Sequence, residues 1–291
     1  MIAGMLFRRS KKLPADAHKG INSWIIYIAL PAVSFKYLPH IEWSSSLLLP
    51  AISPMIVWLG AWLAMRWYAS VNHFNKATEG GLKLSAGLSN TTFIGFPLII
   101  AYYSEKELGI AIIYDQVNFM LLATAGVIVA IHSSKKEVLS VGVIVKRVLG
   151  FPPFLGCVAA LTIPHFVNIT SLDPLFTKLA ATVGPLALFS IGLQLHFNGW
   201  QKQLNNISAA LVYKLVLAPA LIFCVALAAG IKGSIAQISV FEAAMPTLLT
   251  SGIVADEYGL DPELVNLIIG IGIMLSFITT GIWWLALRFL G

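Results

Sequence analysis

Residues 88–103 read LSNTTFIGFPLIIAYY, and this stretch decides the fold. It lies in one of the most apolar regions of the chain, yet polar and helix-breaking residues crowd into eight consecutive positions. These residues are Asn90, Thr91, Thr92, Gly95 and Pro97. Proline removes a backbone donor and glycine weakens a helix, so we expect a membrane-spanning helix to break at Gly95 and Pro97. Such a break is tolerated at membrane depth only where the freed backbone is buried in protein or lines a cavity.

Composition places the whole chain in a membrane. Its 291 residues are 58% hydrophobic and 11% charged, and the mean hydropathy is +0.83, whereas soluble domains are about half apolar and about a quarter charged. A helix needs about 20 apolar residues to cross a bilayer. The apolar residues before Arg8 are too few, and we interpret them as a truncated first span. Nine segments are long enough for full spans: 20–38, 45–69, 83–103, 108–131, 140–165, 174–196, 206–230, 234–255 and 263–290.

The basic residues give an orientation. Most of the lysines and arginines fall in alternate connections, counted with residues 1–7 as the first span. Connections rich in Lys and Arg stay in the cytoplasm, so we expect both termini to be extracytoplasmic in a cell-membrane protein. The placement of basic residues in the cytoplasmic connections therefore explains the net charge of +6. We predict no nucleic-acid partner. The sequence holds no soluble-enzyme or metal-binding motif, so we predict neither catalytic residues nor a metal site.

Prolines recur five spans apart. The second span reads IALPAVSF and the seventh VGPLALFS, while the fourth contains IGFPL and the ninth AAMPTLL. An odd offset reverses the direction through the membrane, so the halves are predicted to be inverted-topology repeats. Their approximate bounds are 1–131 and 138–291, joined by a short cytoplasmic loop. Chance matching among 14 prolines is the alternative.

The interrupted spans favour an anion site. Half-helices that begin near Pro97 and Pro246 would point their positive ends at the membrane centre from opposite sides. The alternative is that both prolines merely kink structural helices. The predicted substrate-binding residues are Asn90, Thr91, Thr92, Gly95, Pro97, Asn118, Pro246 and Thr247.

Three ionisable residues lie inside apolar segments, where charge is costly and usually functional. Glu242, one helical turn before Pro246, is the favoured proton carrier, because a neutralised carboxyl crosses an apolar barrier more easily. Asp115 either takes part in ion coupling or is a solvated or paired acid. Lys214 is either the counter-ion of Glu242 or a tie between helices. No cofactor is predicted apart from H⁺ or Na⁺ as the coupling ion.

Several stretches resemble the auxin efflux carrier family, which includes the plant PIN-type auxin transporters and bacterial malonate permeases. They are NTTFIGFPL, EAAMPTLLTSGIVADEYGLDP, LFRRSKKLPADAHKGINSWIIYIALPAVSF and LAATVGPLALFSIGLQL. The resemblance implies an all-α integral membrane protein with ten spans in an NhaA-like arrangement of five plus five. It also implies crossing broken helices four and nine, elevator-type movement, extracytoplasmic termini and a homodimer. Asn90 matches the asparagine beside the substrate carboxylate, whereas Glu242 stands where the plant proteins have glutamine.

We therefore expect a secondary active transporter of a small carboxylate that works by alternating access at this crossing. Its partners would be the substrate, the membrane lipids and a second copy of the chain. One alternative is a sodium-coupled symporter of the bile-acid type, which shares the crossing architecture. Another is a membrane sensor or packing subunit that does not transport.

Overall fold

The computed structural model describes residues 1–10, 12–14, 16–41, 44–134, 142, 149–150, 152–194 and 200–288, without the side chain of residue 202. Within these ranges the chain is helical between its connections, with one isolated β-bridge and no β-strand. The α-helices are α1 (Ile2–Ser10), α2 (Ala17–Trp24), α3 (Leu30–Tyr37), α4 (Leu48–Val71), α5 (Lys76–Gly87), α6 (Phe96–Tyr102), α7 (Leu108–Leu121), α8 (Val127–Ser133), α9 (Pro152–Thr162), α10 (Asp173–Ala180), α11 (Val183–Gln194), α12 (Leu204–Val212), α13 (Ala218–Ala228), α14 (Gly233–Ala243), α15 (Leu249–Tyr258) and α16 (Pro262–Leu287). Three π-helical turns in the described chain join helices end to end, Ile25–Ala29, Leu122–Gly126 and Tyr213–Leu217, and a fourth, Thr91–Gly95, leads into α6.

Six helical segments of the described chain are long and apolar enough to cross a membrane. They are Ala17–His40, Ser45–Val71, Glu105–Ser133, Thr170–Gln194, Leu204–Ala228 and Pro262–Leu287. Each coincides with one of the nine predicted segments, which confirms a long apolar helix at those six. The predicted spans 83–103 and 234–255 are not continuous helices, because each is interrupted near its middle. The predicted span 140–165 lies partly outside the described residues, which include 142, 149–150 and 152–165 of it, with α9 as its helix.

The helices pack in two groups. In the first group, α3 contacts α9 and α10, and α11 contacts α1 and α2. In the second group, α4 packs on α5, α7 and α14, while α16 packs on α5, α12 and α15. The groups meet where α11 contacts the π turn Thr91–Gly95. The interrupted segments therefore lie in the second group, with one of them against the first.

The two interruptions cross each other at residues 88–90 and 246–248, which we call the crossover. Ser89 and Thr247 form an antiparallel β-bridge there. The backbone N–H of Asn90 donates to the carbonyl oxygen of Pro246 at 2.7 Å, and the N–H of Leu248 donates to that of Leu88 at 3.0 Å. Each extended segment thus satisfies part of the other's backbone, as membrane burial requires.

The breaks lie elsewhere than the sequence predicted. The first is at Leu88–Asn90, and the chain is helical through Gly95 and Pro97. Pro97 lies in the first turn of α6, directly after the π turn, whose wider hydrogen-bond spacing accommodates a residue without an N–H. Pro246 lies inside the second break and does not open a helix, since α15 begins at Leu249.

Helix α5 is held against the connection between α15 and α16. Thr78 Oγ1 donates to Asp261 Oδ2 at 3.0 Å. A Cβ on Gly81 would collide with the backbone carbonyl oxygen of Leu260 and would lie 3.0 Å from Val265 Cγ2. The absence of a side chain at Gly81 therefore sets how closely the first interrupted segment packs.

Alanine at Gly81 is expected to destabilise the protein by about 1–3 kcal/mol, the usual cost of overpacking, because a backbone carbonyl cannot move aside cheaply. The thermal unfolding midpoint in detergent is the measurement. Gly20→Ala is the matched control, because nothing lies within 4 Å of a Cβ at Gly20. Equal midpoints for the two variants would contradict the prediction.

Candidate functional site

The predicted site residues gather at the crossover and are buried there. Asn90, Thr247, Glu242 and Lys214 are each 0% exposed. Thr91, Thr92, Gly95, Asn118, Asp115 and Pro246 are also buried, whereas Pro97 is half-buried. Most of these polar groups have partners, and the partners show what each group does in this state.

The side-chain amide of Asn118 binds the backbone of Ser89 at both ends. Its Oδ1 accepts from the Ser89 N–H at 3.1 Å, and its Nδ2 donates to the Ser89 carbonyl oxygen at 2.9 Å. Asn118 thus forms the two hydrogen bonds that a neighbouring β-strand would form, on the side of Ser89 that faces away from Thr247. Its amide is fully engaged in holding the first break.

The hydroxyls of Thr91 and Thr92 are engaged with Asp115. Thr91 Oγ1 donates to Asp115 Oδ1 at 2.5 Å, and Thr92 Oγ1 donates to the same oxygen at 2.6 Å. Gln116 Nε2 lies 3.4 Å from Asp115 Oδ2. Of the sequence alternatives for Asp115, a paired acid describes this arrangement. In this structure the two hydroxyls, which the sequence predicted to contact a substrate, hold a carboxylate of the protein.

Lys214 and Thr247 close the ends of the interrupted helices. Lys214 Nζ donates to Ser89 Oγ at 2.6 Å and to the carbonyl oxygen of Ala243, the last residue of α14, at 3.1 Å. Thr247 Oγ1 donates to the carbonyl oxygen of Ser85, in the last turn of α5, at 2.6 Å. Among the described residues, no oxygen of Glu242 lies within 4.0 Å of Lys214 Nζ. The hydrogen bonds of Lys214 are those of a tie between helices, and Glu242 also lies near enough to interact with Lys214 electrostatically.

Glu242 is a buried carboxyl without a hydrogen-bond partner. Neither Oε1 nor Oε2 is bonded to any described residue. The group lies directly against Gly95, where an added Cβ would be 2.5 Å from Oε2 and 2.9 Å from Oε1. Gly95 therefore makes room for this carboxyl. A buried, unpaired carboxylate is costly, so the arrangement suits a group that holds a proton or a bound cation.

Two donors at the crossover are also unmatched within the described chain. Asn90 Oδ1 accepts from the Phe93 N–H at 3.2 Å as a helix cap, but the buried Asn90 Nδ2 has no acceptor. The backbone N–H of Thr247, which faces away from Ser89, has none either. Buried donors are nearly always paired in native proteins, so these two groups are the candidates to bind an anion.

No metal centre is evident among the described residues, where no three His, Cys, Asp or Glu residues are grouped closely enough to hold an ion. Sequence reasoning missed Ser89, which pairs with Thr247 and accepts from Lys214. Its only signal was its place directly before Asn90 in the quoted stretch.

A cleft of about 1060 Å³ opens between the two helix groups, at the end of α3 and the first turns of α7, α10 and α14. Lys36 Nζ and Glu105 Oε2 form an ion pair across it at 3.0 Å. Tyr37 donates from its hydroxyl to the same Glu105 oxygen at 3.1 Å. By the predicted orientation, this cleft is on the extracytoplasmic side.

Comparison with known proteins gives consistent results. A family model described as "Membrane transport protein" matches residues 1–284. An "Uncharacterized transporter" of Methanothermobacter thermautotrophicus is 25% identical over 90% of this chain and 87% of its own. A "Putative malonate transporter" of Rhizobium meliloti is 26% identical over 97% of this chain and 91% of its own. A "Probable auxin efflux carrier component 5a" of Oryza sativa is 30% identical, but over only 31% of this chain and 26% of its own.

Proposed function

We propose that this chain, which belongs to the membrane transport protein family, moves a small carboxylate across the cell membrane. This family is the auxin efflux carrier family that the sequence resembles. Its family and relatives are membrane transporters, so it is a transporter and not an enzyme. The proposed mechanism is secondary active transport, with alternating access around the crossover. Malonate, named for the Rhizobium relative, is the first substrate to test.

One observation carries the carboxylate proposal: the crossover buries unmatched donors, and an unmatched acid, Glu242, lies against Gly95 on the first interrupted segment. Asn90 Nδ2 and the Thr247 N–H are free to donate to an anion. The N-terminal ends of α15 and of the π turn Thr91–Gly95 lie beside them and add partial positive charge. A carboxylate placed here would satisfy buried groups that otherwise cost free energy.

Glu242 is the proposed coupling residue. Its two carboxyl oxygens have no partner in the described chain, whereas Asp115 receives two hydroxyl hydrogen bonds. A proton on Glu242 would remove an unpaired charge from the membrane interior and accompany the substrate anion. Sodium at the same carboxyl is the alternative, and the transport assays below separate the two.

The antiparallel pairing at the crossover supports inverted repeats. Segments that pass through the membrane in opposite directions present antiparallel backbones where they meet, and the bridge between Ser89 and Thr247 is antiparallel. We therefore keep the five-plus-five arrangement, with repeats near 1–131 and 138–291, as part of the proposal. Elevator-type movement, extracytoplasmic termini and a homodimer belong to the same proposal, and they rest on the family resemblance and the charge pattern.

Replacing Asn90 with alanine tests the substrate site. Loss of one hydrogen bond to a charged ligand, about 1.5–3 kcal/mol, is expected to weaken malonate binding about 10- to 100-fold. Binding is measured on purified protein in detergent by calorimetry or by malonate-dependent thermal stabilisation. An unchanged affinity would remove Asn90 from the site.

Two further variants separate binding from helix capping. Asn90→Ser keeps a capping oxygen for the Phe93 N–H but lacks the amide donor, so it is expected to fold normally and still bind malonate weakly. Asn168→Ala alters an exposed asparagine in a connection and is expected to bind as the wild type does. Weak binding by both Asn90 variants, with normal binding by Asn168→Ala, supports the proposal.

A further inference from the structure

We propose that Lys214 is a positioning residue that holds the two arms of the crossover in register. The first arm is residues 85–95 and the second arm is residues 242–251. The role of Lys214 in holding the arms does not depend on the proposed function. Its consequence, that the anion site keeps its shape during transport, rests on the proposed function. The contact that carries it is independent of any substrate.

Lys214 contacts both arms with one nitrogen. The ammonium has three N–H donors, and two of them reach Ser89 Oγ at 2.6 Å and the Ala243 carbonyl oxygen at 3.1 Å. Ser89 is the bridged residue of the first break, and Ala243 ends the helix before the second. A change in the relative position of the arms would lengthen at least one of these hydrogen bonds.

The charge of Lys214 suits this position. A helix that stops inside the membrane leaves its last carbonyl groups without N–H partners and carries partial negative charge at that end. The Ala243 carbonyl is one of these groups, and it is far from water because Lys214 is 0% exposed. The ammonium therefore both satisfies the carbonyl and stabilises the end of α14.

The turn that bears Lys214 is itself anchored on both sides. Tyr213 donates from its hydroxyl to the Val57 carbonyl oxygen in α4 at 2.7 Å. Trp283 Nε1, in α16, donates to the Leu215 carbonyl oxygen at 2.9 Å. The π turn Tyr213–Leu217 thus has contacts to a different helix at each of three consecutive residues. Such a turn can act as a fixed platform for the ammonium group.

The test is hydrogen exchange of the two arms in lipid nanodiscs. Lys214→Met keeps the length of the side chain and removes the charge and both hydrogen bonds, so exchange is expected to rise at least tenfold in both arms. Lys214→Arg retains charge and donors and is expected to restore exchange to near the wild-type rate. Lys178→Met is the matched control, because it makes the same substitution at an exposed lysine of α10, outside both arms.

Ser89→Ala gives a second route if Lys214→Met does not fold. It removes the hydrogen bond of Lys214 to the first arm and leaves that to Ala243, so exchange is expected to rise in the first arm and to rise much less in residues 242–251. Unchanged exchange in both arms for Lys214→Met, or an equal rise across the whole protein, would overturn the proposal. For Ser89→Ala, an equal rise in both arms or none in the first would do the same.

Transport in proteoliposomes supplies the second readout, with radiolabelled malonate as the probe. Lys214→Met is expected to raise the half-saturation concentration at least tenfold and to change the maximal rate much less, with recovery in Lys214→Arg. Equal losses in both parameters would indicate general damage and contradict a positioning role. If the wild type neither binds nor moves malonate, the proposed substrate fails, while the exchange experiment still decides the role of Lys214.

Discussion

Glutamine in place of Glu242 is expected to abolish the accumulation of malonate driven by a proton gradient and to preserve malonate exchange. Glutamine has nearly the shape of a protonated glutamic acid but cannot release a proton. The carboxyl is 0% exposed, has no described hydrogen-bond partner and lies against Gly95, so a neutral group of the same size fits its surroundings. Binding and movement of the anion then continue, but the proton gradient no longer drives them.

Proteoliposomes with an imposed pH difference measure this effect. With one proton moved per malonate and the membrane potential held at zero, a difference of one pH unit is worth about 1.4 kcal/mol, or about tenfold accumulation in the wild type. Glu242→Gln is expected to reach a ratio of about 1 and to show a flat dependence of the exchange rate on pH. Glu263→Gln, which alters an exposed acid at the start of α16, is the matched control and should accumulate malonate normally.

Gradient-driven accumulation by Glu242→Gln at the wild-type level would eliminate Glu242 as the coupling residue. A sodium gradient at constant pH forms the second arm of the experiment. Accumulation driven by sodium alone in the wild type, and lost in the variant, would keep Glu242 at the centre but identify sodium as the coupling ion.

The sequence identified the interrupted segments and most of the buried polar residues, because both signals are local. Gly, Pro and ionisable side chains inside apolar segments are visible one residue at a time. The signal for the position of the break was not local in the sequence. Pro97 fits either a helix interior that kinks or a first turn, and only the pairing of residues 88–90 with 246–248 settles the choice.

The sequence also could not predict which groups form hydrogen bonds with each other. A threonine hydroxyl can donate to a substrate or to a neighbouring carboxylate, and Thr91 and Thr92 donate to Asp115, which follows more than twenty positions later. Gly95 was predicted to break a helix, but its observed contact is with the carboxyl of Glu242 from the other half of the chain. Chain spacing within one helix carries no information about such partners.

Leucine in place of Asn118 is expected to destabilise the fold strongly and leave the affinity of the folded protein for malonate nearly unchanged. Leucine has a similar size but cannot bond to the Ser89 N–H and carbonyl oxygen, which Asn118 now holds at 3.1 and 2.9 Å. Each backbone group left unpaired in a buried site costs about 1–3 kcal/mol. Ser89 is 0% exposed, so water cannot replace the lost partner.

Thermal unfolding in detergent, followed by malonate titration of the folded fraction below the midpoint, distinguishes this role from substrate binding. Gln116→Leu is the control on the same helix, because Gln116 is only half-buried and its amide makes one long contact of 3.4 Å with Asp115. The midpoint should fall by several degrees more for Asn118→Leu than for Gln116→Leu. A normal midpoint combined with lost malonate affinity would instead place Asn118 in the substrate site, as the sequence first predicted.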